Sequence, residues 1–307
     1  MQKFNLFESE FDIIQLPSRG LFYSGLNSTI TIKYLTAKEE KILTTPQLFE
    51  SGKAINMVID NNVYEDNFIG SENLLICDKQ AIILFLRSTS FGDKYPIKFN
   101  CQKCHNENEI DFFISELEIN DLNYFPDEDG TFSFTLPKMK INNEKVLIKF
   151  TPLTVKEELM LMEENRNNPD SEITNLYKTK IKSINNINDK NYITKILHNM
   201  SMTDSAKLRS YMDKVEPRIK NELKFDCEFC KNSFNSSIEF NDNFLGITPS
   251  YRTQMMDEIF NLTYYHKGGL TRADVMSMSI SERRWELNRI VKEVEKTNKE
   301  TERATKK

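Results

Sequence analysis

Ile97-Lys98-Phe99-Asn100-Cys101-Gln102-Lys103-Cys104 and Leu223-Lys224-Phe225-Asp226-Cys227-Glu228-Phe229-Cys230 are two copies of one pattern. Each is a short alternating apolar run that ends in Cys-x-x-Cys. A polar turn and a second β-like run follow each copy, Glu109 to Phe113 in the first and Ser236 to Phe240 in the second. Strand, tight turn with two thiols, and returning strand make a zinc knuckle. Two thiols three positions apart in such a turn can aim both sulfurs at one point, about 2.3 Å from a metal. Zinc takes four such ligands, so the two knuckles together predict one site made by Cys101, Cys104, Cys227 and Cys230. Four thiolates leave no open coordination position, which makes the expected zinc structural rather than catalytic.

Two other readings compete with this one: unrelated surface turns, and redox pairs or a disulfide. The knuckles are far apart in the chain, unlike a compact zinc ribbon, but their matching flanks argue for a shared role. A redox Cys-x-x-Cys belongs at a helix start beside a βαβ unit, and neither copy has that context. Asp226 and Glu228 would raise thiol pKa values rather than lower them. His105, beside Cys104, reads as a solvated turn residue because four cysteines already complete a site.

Moving outward, the flanks repeat as well. Leu16-Pro17 is echoed by Leu136-Pro137, and Ile30-Thr31-Ile32-Lys33-Tyr34 by Val146-Leu147-Ile148-Lys149-Phe150. Thr36-Ala37-Lys38-Glu39 is echoed by Thr154-Val155-Lys156-Glu157; both are capping boxes that start a helix. The first of these helices should stop near Leu43, before Thr45-Pro46. Helical patterns follow in both halves, and each half ends in its knuckle. The expected fold is α+β: a tandem pseudo-repeat of short strands, capped helices and a knuckle in each half, joined at a four-cysteine zinc site, with a C-terminal helical tail. The expected units are an N-terminal arm over 1–15, a first repeat over 16–119, an acidic connector over 120–135, a second repeat over 136–247 and a docking tail over 248–307. In the arm, Phe4, Leu6, Phe7 and Phe11 offer docking side chains. In the tail, Thr271 to Asp274 and Ser279 to Glu282 read as helix caps, and Trp285, Ile290 and Val294 form a stripe that needs a partner surface.

The joint has an energetic logic. Structural zinc in finger peptides contributes roughly 10–16 kcal/mol of apparent binding free energy. Closing a long loop grows costlier by only about 0.6 kcal/mol per doubling of length. Metal binding would therefore hold two remote hairpins in one orientation.

Composition narrows the function classes. With 307 residues there is ample chain for a core, and 39% of them are hydrophobic. A net charge of −5 and a pI near 5.5 argue against a general phosphate-binding surface. Five cysteines, four of them paired in motifs, suit a reducing compartment, and Cys77 reads as a buried small hydrophobe. No stretch approaches the roughly 20 apolar residues of a membrane span, and Met1 to Glu10 lacks the pattern of a secretory signal. His266 and Tyr264 have no nucleophile or acid pair at an informative spacing, so no catalytic residue is predicted.

Several stretches then resemble the baseplate hub subunit family of T4-like contractile-tailed bacteriophages. They are Leu16 to Tyr23, Leu35 to Glu40, the Arg87 to Tyr95 run before Cys101, the second cysteine pair, and Glu258-Ile259-Phe260, Gly268-Gly269, Met278 and Glu282 to Trp285 in the tail. The Asn-rich insertions around 165–190 and the long charged end depart from it. The resemblance implies a non-enzymatic assembly or virion role in the hub beneath the tail tube. It implies other phage tail and baseplate hub proteins as partners, no small-molecule substrate and no membrane. The expected location is the host cytoplasm during assembly and the virion tail. The alternative is a zinc-knuckle nucleic-acid-binding phage regulator, with Lys98, Lys103, Lys224 and Lys231 near the knuckles and Phe99, Phe225 and Phe229 available to stack bases. The acidic total and the inward alternation of Phe99 and Phe225 count against it.

Overall fold

Residues 10–120 and 122–305 are described by a computed structural model of the chain. Phe4, Leu6 and Phe7 of the expected arm lie outside these residues. Phe11–Gln15, read from sequence as the end of that arm, is instead strand β1, paired antiparallel with β2 (Thr29–Lys33). Helices α1 (Ala37–Leu43), α2 (Pro46–Glu50), α3 (Ala54–Asn62) and α4 (Ile76–Phe91) follow. The hairpin β3 (Lys94–Asn100) and β4 (Glu107–Phe113) ends this half.

The next half opens with β5 (Phe132–Ile141) and β6 (Glu144–Phe150), joined by a two-residue turn in which Asn142 and Asn143 both have positive φ. Then come α5 (Val155–Asn167), α6 (Glu172–Lys180), β7 (Ile181–Ile184), α7 (Lys190–His198) and α8 (Met202–Val215). The hairpin β8 (Glu222–Asp226) and β9 (Ser233–Ser237) closes it. β9 begins earlier than the sequence pattern suggests and stops before Ile238. Helices α9 (Tyr251–Tyr265), α10 (Arg272–Ser277) and α11 (Ile280–Thr305) complete the chain. The fold is thus α+β, with small antiparallel sheets of two or three strands among the described residues. No helix among them is long and apolar enough to cross a membrane.

The local chemistry behaves as the sequence predicts at both capping boxes. Thr36 and Glu39 bond each other's backbone amides, and Thr154 and Glu157 do the same. Helix α1 stops at Leu43, and Pro46 opens α2. A third box, Thr271 with Asp274, starts α10. Gly20 has a positive φ, and a Cβ there would sit 2.7 Å from the carbonyl oxygens of Leu26 and Asn27, so only glycine fits this turn.

Two large cores and a smaller third one under the C-terminal helices carry the packing among the described residues. The first gathers Leu16, Ile30, Ile32, Ile55, Ile59, Leu74, Ile82 and Leu86, and it also takes in Phe240, Phe244, Leu245, Ile247 and Ile280 from far along the chain. The second gathers Phe132, Leu136, Val146, Ile148, Phe150, Ile181, Ile193, Leu208 and Met212. Residues that follow the second knuckle therefore belong to the first core.

Buried carboxylates tie each half's opening loop to its last long helix. Asp78, in the first turn of α4, accepts from the Ser18 amide at 2.9 Å and from the Tyr23 hydroxyl at 2.5 Å. Burial raises its carboxyl, and the donors of Ser18 and Tyr23 pull it back. Asp204, in the first turn of α8, accepts from the amides of Lys138 and Met139 at 3.0 and 3.1 Å. Both side chains are fully buried.

Extended seams join the segments. Val155 N–H donates to Leu74 C=O and Ile76 N–H to Leu153 C=O, so Leu75 pairs antiparallel with Thr154. Ile280 N–H donates to Leu35 C=O, and Ser279 pairs with Thr36 in the same sense. The expected tail divides in two. Met255, Ile259, Leu262 and Val275 pack with Ala37, and Arg283 is buried against Glu40 and Glu258. Past Arg283 the helix stays against the body through Leu287 and Ile290, so Ile290 of the expected stripe already has a partner surface, while Trp285 and Val291 are exposed.

Candidate metal centre

Each Cys-x-x-Cys sits at the tip of a hairpin. In β3–β4 the pairing ends at Asn100 with Glu107, and the chain then turns through Cys101 to Asn106. Cys101 N–H donates to Asn106 C=O at 3.0 Å, and His105 N–H donates to Cys101 C=O at 2.9 Å. The β8–β9 tip copies this bond for bond: Cys227 N–H to Asn232 C=O at 3.0 Å and Lys231 N–H to Cys227 C=O at 2.9 Å. His105 and Lys231 both take φ 57°, the left-handed conformation that reverses the chain. His105 is exposed and serves the turn, as its position suggests.

The two tips meet. Cys101 Sγ lies 3.7 Å from Cys230 Sγ, and Cys104 Sγ lies 3.6 Å from Cys227 Sγ. All four sulfurs fall within 4.8 Å of one another, and all are free thiols. A tetrahedron with metal–sulfur bonds of about 2.3 Å has sulfurs about 3.8 Å apart. The donor set therefore fits a four-thiolate metal ion. Cys101 and Cys227 are fully buried, while Cys104 and Cys230 face the outside of the cluster.

Four thiols at one point cannot ionise independently. The Asn106 amide lowers the Cys104 thiol, but burial and the neighbouring sulfurs push it up to about 12. Burial raises Cys227, yet the amides of Cys230 and Phe229 with the adjacent sulfurs bring it down to about 6. The amides of Cys104 and Lys103 lower Cys101; the Lys103 amide lies 3.4 Å from the Cys101 sulfur. Backbone N–H groups thus favour thiolate, while the sulfurs help Cys227 ionise at the expense of Cys104. A cation at the centre would relieve that competition.

The hairpins also touch below the sulfurs. Phe99 packs 5.7 Å from Phe225 and 4.7 Å from Phe234, centroid to centroid. Phe229 stands apart, 61% exposed. Asn108 was missed by sequence reasoning. It is almost completely buried, its Oδ1 accepts from Glu228 N–H at 2.9 Å, and its Nδ2 donates to Asn106 C=O. It therefore latches one tip to the other. The signal was there: along β4 the inward positions are Asn108, Ile110 and Phe112, and a polar residue at the first of them calls for a partner.

Comparison with known proteins bears on the whole chain rather than on this site. No curated protein and no solved structure matches it. A protein family does, described as "T4 bacteriophage base plate protein", over residues 10–246. That stretch contains both hairpins, all four cysteines and both buried aspartates. On that match, the chain belongs to the T4 bacteriophage base plate protein family.

Proposed function

We propose that the protein is a non-enzymatic part of a phage tail baseplate hub, in which a structural zinc at Cys101, Cys104, Cys227 and Cys230 locks two pseudo-repeats together. The observation that carries the joint is the meeting of four sulfurs from hairpins 126 positions apart. When bound, the ion supplies cross-linking and nothing else, since four thiolates leave no coordination site for a reactant. The chain's own residues aim the sulfurs, bury two of them and latch the tips through Asn108.

Support for the pseudo-repeat comes from matching contacts. Asp78 and Asp204 are 126 positions apart, the same spacing as Cys101 and Cys227. Both aspartates cap the amide that follows a Leu-Pro pair, at Ser18 and at Lys138. Leu35 and Leu153, each just before a capping-box threonine, accept a bond from the first residue of another helix. Support for a non-enzymatic role is that the buried acids are saturated: Asp78 and Asp204 by amides and hydroxyls, Glu40 by Arg283. On this reading the protein assembles with other hub and tail proteins, first in the host cytoplasm and then in the virion.

Metal analysis of protein purified without chelator tests the joint, with about one zinc per chain expected. Absence of metal from folded, fully reduced protein would remove it. Recovery of the chain with other tail proteins from infected cells tests the hub role. Salt-sensitive retention on nucleic acid without such partners would favour the regulator reading instead.

A further inference from the structure

The seams follow a rule that one position leaves incomplete. The start of α11 docks on the Leu35-Thr36 segment, and the start of α4 docks on Leu153-Thr154. In each case the residue at the helix start gives its N–H to the leucine carbonyl. The second-half counterpart of the α4 start is Met200-Ser201-Met202, at the spacing of 126 that also relates the aspartates and the cysteines. Its backbone is the same: Leu75 has φ −65° and ψ 149°, and Ser201 has φ −67° and ψ 150°. Yet Met202 N–H and Met200 C=O have no hydrogen-bond partner among the described residues. Met202 is 90% exposed, and a hollow of about 370 Å³ opens beside it, walled by Ile173, Tyr177, Leu197 and Met200.

We infer that this seam receives an extended Leu-Thr segment opening a capping-box helix on another polypeptide, paired antiparallel with Ser201. This rests on the pseudo-repeat reading. The occupant follows from the filled seam at Leu75, where such a segment supplies one donor and one acceptor to the helix start. Two such segments of the chain, at Leu35 and Leu153, are already engaged. The third, Leu270-Thr271, has Asp274 alone in its first turn, held by its own cap, and lacks the second acid that Glu40 and Glu158 supply. The occupant is therefore a different protein; Met202 protection that rises with the concentration of the chain alone would overturn that choice in favour of a second copy. Charge fits as well. Such helices carry acids in their first turn, as Glu39 and Glu40 or Glu157 and Glu158 do here, and Arg209 lines the hollow. The incoming chain would donate to Met200 C=O, accept from Met202 N–H and cover the Met202 side chain.

The probe is a synthetic peptide copying residues 148–164, the stretch that fills the seam at Leu75. Amide exchange of the full-length, isotope-labelled chain is followed by NMR. At about 1 mM peptide, a Kd of ~1 mM slows exchange at the Met202 amide about twofold. That slowing is expected to vanish when the peptide carries N-methylvaline in place of Val155, and when the chain carries Met202→Glu, which removes the apolar contact and sets a like charge against the acids of the incoming helix. No slowing, or slowing indifferent to both changes, overturns the docking inference. The free chain carries its own control. An Ile76 amide exchanging as fast as Met202 would instead sink the internal seam and the repeat reading beneath it.

Discussion

Arg283 is the test of whether the C-terminal helices are part of the body. Its side chain is fully buried; its Nη2 bonds both oxygens of Glu40, at 2.8 and 2.6 Å, and its Nε bonds Glu258 at 2.9 Å. Replacing it by Met keeps most of the packing volume, strands the Glu40 carboxylate, and leaves Glu258 to Arg284, 3.7 Å away, and to Gln254. Removing one partner of a buried ion pair costs about 3–5 kcal/mol. Taking about 2 °C per kcal/mol for a chain of this size, R283M should melt roughly 6–10 °C lower. The loss should depend on pH with a definite sign. Burial already raises the Glu40 carboxyl, and Arg283 opposes that shift. Without the arginine, Glu40 is held higher still, so folding favours its protonated form. The deficit of R283M is then full above that raised pKa and shrinks as the pH falls through it. Calorimetry at about pH 7.5 and about pH 5 reads this, because the unfolded Glu pKa of about 4.3 lies below both. The triple variant E40Q/R283M/E258Q, which strands no charge, should recover much of the stability. A fall below about 2 °C for R283M, or a triple variant as weak as the single, would refute the reasoning.

The remaining predictions concern the other joints. Cys227→Ser should lower zinc content and loosen the hairpin contact, read as faster amide exchange in both 94–113 and 222–237; exchange rising in only one hairpin would count against a shared ion. Asn108→Ala should cost about 1–3 kcal/mol, because the Glu228 amide loses its acceptor in a partly buried site; unchanged denaturant midpoint would show the latch to be incidental. Asp204→Ala should destabilise by a similar amount, about 1–3 kcal/mol, by leaving the Lys138 and Met139 amides unpaired, measured by urea unfolding. Gly20→Ala should destabilise more than a surface change, since the added Cβ would press on two backbone carbonyls as well as strain a positive φ.

Much of this architecture was legible from local chemistry. Capping boxes at Thr36, Thr154 and Thr271 use contacts within three residues, and sequence displays such contacts directly. The cysteine pairs were legible for a different reason: few pairings of residue types are as restrictive as two matched Cys-x-x-Cys hairpins. Long-range polar contacts were hidden. Nothing local marks Asp78 as the partner of Ser18, 60 positions back, or Arg283 as the partner of Glu40, 243 positions back. Strand β1 was hidden because only its pairing with β2 makes a strand of five largely exposed residues. The place of Phe240 to Ile247 in the first core was hidden too, because hydrophobicity records that a residue is buried and not against what.

These contacts share one property, which bears on why such a molecule suits assembly. The sulfur cluster, the Leu75–Thr154 seam and the Arg283–Glu40 pair each join segments tens to hundreds of positions apart. Each uses directional bonds rather than apolar contact alone. Apolar packing tolerates small slides between surfaces, whereas thiolate geometry, paired backbone bonds and an arginine bonded to two carboxylates do not. Three directional joints at separate places fix relative orientation as well as proximity. On the proposed assembly role, a part whose exposed Trp285, Phe260, Tyr264 and Met202 meet neighbours would gain from that rigidity. Docking then costs less conformational entropy, because the presenting surface is already ordered before the partner arrives.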